Sequence, residues 1–123
     1  MIEKENFFPI GIGTYKLNLD ERTKTLDGLL YSYEKGQNFM STALVYDNER
    51  VVGFLKDFFK IIDREKVFLM VHLERYIEKS EDVEMQVDKY LTKMDLDYID
   101  SIQVHASYVS KIPLIETYCQ IKS

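Results

Sequence analysis

Four side chains able to do polar chemistry fall at comparable places along the sequence. Ser41 closes a short apolar run, Tyr46 follows five residues later, His72 ends the run Val67–Val71, and His105 follows the run that ends at Val104. A tyrosine beside histidines can act as a general acid when a nearby positive charge lowers its pKa. Imidazole and carboxylate also suit zinc, which would draw on His72, His105 and Glu74. Glu74 shares the His72 side only if its strand continues, and no close pair such as HxxxH is present, so no metal is expected. Gly11-Ile-Gly13 lacks the third glycine of a dinucleotide fingerprint and does not open a helix directly. As alternatives to catalysis, a loop tyrosine can be a packing residue, and histidines at strand ends can be purely structural.

Alternating strands and helices would have to position these groups. The first strand is expected at about Pro9 to Gly13, followed by a helix from about Thr23 to Lys35. Leu26, Leu29, Leu30 and Tyr33 recur there at i, i+3, i+4 and i+7. Gly36 suits the left-handed residue that ends a helix. A second strand covers about Asn38 to Ser41, and a second helix about Asn48 to Phe59, capped by Asp47 or Asn48. Gly53 lies inside that helix, where it either weakens it or permits close packing on a strand. Val67–Val71 reads as a strand covered on both faces. Ser80 then caps a third helix with an acidic first turn and a stripe of Val83, Val87, Tyr90, Leu91 and Met94. A fourth strand is expected at about Tyr98 to Val104, and Pro113 opens a last helix carrying Leu114, Ile115, Tyr118 and Ile121.

The order is (βα)4, an α/β unit with parallel strands, expected to fold as one domain over residues 1–123. It suits an open sheet or half of a (β/α)8 barrel, which needs roughly 250 residues. In either case Ser41, Tyr46, His72 and His105 gather at the carboxyl ends of the strands, where α/β folds carry chemistry.

Composition narrows the partners. The chain has 123 residues, 16 Lys+Arg and 21 Asp+Glu, so its formal net charge of −5 argues against nucleic acid. No apolar run approaches the roughly 20 residues of a membrane span, and the start has no signal-peptide core. Cys119 is a lone thiol, consistent with a reducing compartment. A cytoplasmic protein is expected.

Ile10 to Tyr15, Ser41-Thr-Ala-Leu-Val-Tyr46-Asp-Asn-Glu49, Val67 to Leu73, and Leu96 to Asp100 through Gln103-Val-His105 together resemble the aldo-keto reductases. The resemblance spans essentially the whole chain. It implies a (β/α)8 barrel, NADPH or NADH as cofactor, and hydride transfer to a small carbonyl substrate. Tyr46 matches the proton-donating tyrosine and His105 the histidine that orients the carbonyl. Gly13, Thr14 and Tyr15 match the loop beside nicotinamide and substrate. Ser41 stands where the family has aspartate, and His72 where it has lysine. Losing both members together avoids leaving a lone buried charge. The Ser41 hydroxyl is expected to bond His72, and an imidazole assists Tyr46 less than lysine does at neutral pH.

Four βα units are expected to make up only the first half of such a barrel, and the resemblance implies that the loops holding the cofactor phosphates follow the later strands. A truncated, weak or inactive reductase is therefore expected, with a catalytically silent half-barrel as the alternative. The first and fourth strands would be open edges. Two copies could close them into an eight-stranded homodimeric barrel.

Overall fold

The computed structural model describes residues 6–74 and 77–104. The expected last helix, Cys119 and His105 lie outside these residues. Four parallel strands form one sheet in chain order: β1 (Ile12–Gly13), β2 (Phe39–Ala43), β3 (Phe68–His72) and β4 (Ser101–Gln103). Helices α1 (Arg22–Glu34), α2 (Arg50–Ile61) and α3 (Ser80–Met94) make the crossovers. Sequential order in a parallel sheet puts each strand end beside the next, which lines up the loops at one edge.

Strand alternation sorts the two faces. Met40, Thr42, Leu69 and Val71 are buried on the helix side, while Phe39, Ser41, Phe68, Met70 and His72 are half-buried on the other. Helix α2 supplies most of the cover, burying Val51, Val52, Phe54, Leu55, Phe58 and Phe59. Each such side chain contributes on the order of 1.5–3 kcal/mol. The expected stripe of α1 is thinner, since only Leu29 is fully buried and Leu26, Leu30 and Tyr33 pack partly. At the amino ends of the strands Phe7 packs edge-on against Phe39 and Phe68, with ring centroids 5.8 and 5.1 Å away. Phe39 and Phe68 stack on each other at 5.4 Å.

Several boundaries differ from the sequence reading for local reasons. β1 is reduced to two residues, because Pro9 has no amide to donate and Gly11 passes against Phe39. β2 runs two residues past Ser41, pairing Thr42 with Val71 and Ala43 with His72. Ser80 is the first helical residue rather than the cap. The Asp82 carboxylate does the capping, accepting the amides of Glu78 at 2.9 Å and Lys79 at 3.1 Å. Neither Asp47 nor Asn48 caps α2, since the residue before that helix is Glu49 and it makes no side-chain cap bond. Gly53 does not mediate close packing, because a Cβ placed there would meet nothing within 4 Å. Gly36 behaves as expected: at φ 97° it closes α1, its amide donating to Tyr33 O at 3.0 Å.

The amino ends of β3 and β4 are locked by one ion pair. Arg64 and Asp100 meet at 2.8 Å with side chains only 13% and 7% exposed. The same Asp100 oxygen accepts the Leu69 amide at 2.8 Å, and Arg64 also donates to Val67 O and Tyr98 O. The guanidinium lies 4.1 Å from the Tyr98 ring centroid, consistent with cation–π stacking.

Candidate active site at the carboxyl edge of the sheet

Parallel register arranges the inner face in rows. Gly13, Ser41, Met70 and Ser101 form one row, and Ala43, His72 and Gln103 form the next toward the carboxyl edge. Ser41 therefore sits one row below His72, across from Met70. Among the described residues no hydrogen bond joins the Ser41 hydroxyl to the His72 ring, and the expected bond gives way to this two-residue offset. Ser41 contributes its carbonyl instead, which accepts the Thr14 hydroxyl at 2.8 Å. Thr14 is fully buried, and its side chain ties β1 to β2.

Tyr46 reaches the edge from the loop between β2 and α2. Its ring is half-buried on the core and lies 5.1 Å from the Tyr15 ring and 6.5 Å from the His72 ring, centroid to centroid. Three rings thus stand in a row across the ends of β1, β2 and β3. Tyr15 is 64% exposed, and Gly13 beside it leaves open space where a Cβ would be. Burial holds the His72 imidazole below its ordinary pKa, so at neutral pH it is uncharged and offers a hydrogen bond rather than a cation.

The backbone after Tyr46 makes a left-handed turn, with Asp47, Asn48 and Glu49 at φ 47°, 52° and 69°. Asp and Asn tolerate this region, whereas for Glu it costs roughly 1–2 kcal/mol. Ion pairs from Glu49 to Lys89 and to Lys93 (3.1 Å) of α3 oppose that cost. Hydrogen bonds from Lys89 and Lys93 keep the Glu49 carboxyl below its ordinary range.

Beneath the row of rings lies Tyr90 of α3, fully buried. Its hydroxyl accepts the Leu44 amide at 2.9 Å and donates to the His72 carbonyl at 2.5 Å. Burial pushes its pKa far above the usual tyrosine range. Tyr90 and Glu49 were not singled out in the sequence as site residues. The signal for Tyr90 was available, since a tyrosine in a buried helix stripe needs a partner for its hydroxyl. Glu49 is marked only as the last residue of the Ser41–Glu49 segment that carries the family resemblance; its pairing is not, because its partners lie about 40 residues away in a helix whose charged face reads as solvated.

For Glu74 the structure shows a backbone role, its amide donating to Gln86 Oε1 at 2.7 Å. Among the described residues no three His, Cys, Asp or Glu side chains converge as a metal site. No helix among them is long and apolar enough to cross a membrane.

Comparison with known proteins identifies the family and the fold. The sequence model of the aldo/keto reductase family matches residues 9–122. Human aldo-keto reductase family 1 member C2 is 31% identical over 105 residues, 81% of this chain and 32% of the relative. The NADH-dependent D-xylose reductase of Candida parapsilosis is 28% identical over 113 residues, 89% of this chain and 34% of the relative. The chain thus spans about a third of the length of these curated relatives. Among solved structures, an aldo-keto reductase from Klebsiella pneumoniae in complex with NADPH superposes with a TM-score of 0.81. It is 19% identical, and the match covers 94% of this chain and 40% of that one. A thermostable aldo-keto reductase bound to epalrestat gives 0.75 at 21% identity, covering 91% and 43%. The four parallel strands are accordingly consistent with half of a (β/α)8 barrel, and the chain belongs to the aldo/keto reductase family.

Proposed function

We propose that this chain contributes the catalytic wall of an NAD(P)H-dependent reductase of small carbonyl compounds, with Tyr46 as the proton donor. The observation that carries the reading is the Tyr15–Tyr46–His72 row at the carboxyl edge. The residues present suit the nicotinamide end of the cofactor: Tyr15 offers an exposed ring face and Gly13 leaves room beside it. NADPH or NADH, when bound, supplies the hydride for the carbonyl carbon. Tyr46 gives its phenolic proton to the carbonyl oxygen, and solvent restores it. His72 stays neutral and adds no positive charge beside Tyr46. His105, by family resemblance, orients the carbonyl. Ser41 acts through the backbone that links β1 to β2.

His72 is held in its neutral form and brings no positive charge to the proton transfer, so turnover should be slow. The test is a fluorescence titration with NADPH followed by reduction of an activated aldehyde. Tyr46→Phe should abolish reduction while leaving cofactor affinity intact, and surviving turnover in that variant rejects Tyr46 as the donor.

A second reading is a catalytically silent half-barrel that pairs with another copy, β4 of one meeting β1 of the other. The replacement of the family's acid–lysine pair by Ser41 and His72, and the engaged Thr14 hydroxyl, favour it. No NADPH binding at millimolar concentration selects this reading, and light scattering from a well-folded monomer rejects the pairing.

A further inference from the structure

The sheet ladder ends at the pair Ala43 and His72, yet the backbone just beyond it is held in place. The Leu44 amide and the His72 carbonyl flank the end of the ladder, and the Tyr90 hydroxyl fills the gap between them as an added rung. Leu44 is two residues before Tyr46, and His72 carries the imidazole facing Tyr46. One buried hydroxyl therefore connects the backbones that present both rings.

Its helix grips the same edge elsewhere. Lys89 and Lys93 hold Glu49 on the far side of Tyr46, and Gln86 holds the amide of Glu74 beyond His72. Positions 86, 89, 90 and 93 follow helical spacing, so one side of α3 clamps both loops.

We propose that Tyr90 is a positioning residue, its shared hydroxyl setting the spacing between the Tyr46 phenol and the His72 imidazole. Its catalytic meaning rests on Tyr46 being the proton donor, whereas its structural effect is measurable without turnover.

The experiment is nuclear magnetic resonance on the full chain with Tyr90→Phe, which keeps the ring and removes both hydrogen bonds. The Leu44 amide should exchange faster by about tenfold or more, as expected when a buried amide loses its acceptor. The contacts between the Tyr46 and His72 rings should weaken, and the His72 titration midpoint should move. Tyr33→Phe is the control, because its hydroxyl meets the Asp63 amide at 3.4 Å, away from this edge. It should leave His72 unchanged.

A folded Tyr90→Phe protein with unaltered ring contacts and an unaltered His72 titration overturns the proposal, since a purely space-filling tyrosine predicts that result. If the variant does not fold, the wild-type Leu44 amide decides. It lies past the last β2 residue, so slow exchange supports the rung and exchange at a free-loop rate overturns it. If wild type reduces an aldehyde, Tyr90→Phe should lower kcat with little change in KM, and an unchanged kcat counts against the proposal. Wild type without turnover defeats the functional reading and leaves the resonance outcomes to decide on Tyr90.

Discussion

Truncating Asp100 to alanine should be among the costliest single changes to the described part of the fold. The carboxylate holds two groups at once, the Arg64 guanidinium and the Leu69 amide, both at 2.8 Å. Its removal leaves a nearly buried cation without its counter-charge and an amide without its acceptor. Breaking such a pair costs roughly 3–5 kcal/mol. Arg64 keeps its bonds to Val67 O at 2.6 Å and Tyr98 O at 3.0 Å, so the lower end of that range applies. With a urea m-value of about 2 kcal/mol/M, a loss of about 3 kcal/mol moves the unfolding midpoint down by roughly 1.5 M. The comparison is Asp57→Ala, which breaks the Arg22–Asp57 pair, whose side chains are 49% and 46% exposed. That pair should contribute less than about 1 kcal/mol. Urea curves of the two variants, fitted with a common m-value, give the answer. Equal midpoints would refute the reasoning, because burial would then have made no difference to the ion pair. Replacing Arg64 and Asp100 together with Met and Leu should recover much of the loss.

Other outcomes follow from the same physics. Gly53→Ala should raise stability by roughly 0.5–1 kcal/mol, since the site is helical and open, and thermal unfolding reads the gain. Thr42 is fully buried and its hydroxyl has no partner among the described residues, so Thr42→Val should stabilise by about 1 kcal/mol in urea unfolding. The folded pKa of His72 lies below its ordinary 6.5, so the unfolded chain binds more protons as pH falls below that value. His72 therefore favours the folded state fully above about pH 6.5, and its contribution is lost as pH falls through the folded pKa. Comparing wild type with His72→Gln between pH 5 and pH 7 should show a shallower pH slope for the variant.

The order of the four strands and the first three helices was legible because most of them carry a strong local signal. The apolar run before His72, the broad stripe of α2 and the glycine closing α1 each dictate one structure with little help from elsewhere. The facing of β3 was readable too, since period-two alternation puts Phe68, Met70 and His72 on one side. Register was not. Whether Ser41 stands opposite His72 or one row below depends on inter-strand pairing, and a two-residue offset keeps the same face while abolishing the contact. Capping was legible only as a class of residue: Ser80, Asp47 and Asn48 are all good caps, yet Asp82 reaches back and Glu49 takes the cap position. The left-handed turn after Tyr46 is held by lysines from a different helix, a long-range cause that local propensity does not contain. Tyr90 was legible as core, while its hydrogen bonds required knowing which two backbone groups the sheet leaves unpaired.

The aromatic packing of Phe7, Phe39 and Phe68 fills the inner face at one end of the strands, while the polar groups occupy the other. The inner wall therefore runs lengthwise from greasy to wet, with Ser41, Met70 and Ser101 as the midline. Aromatic packing and the candidate site are thus divided between opposite thirds of the same strands. A designer could redraw the hydrocarbon third for greater rigidity while leaving the polar third untouched.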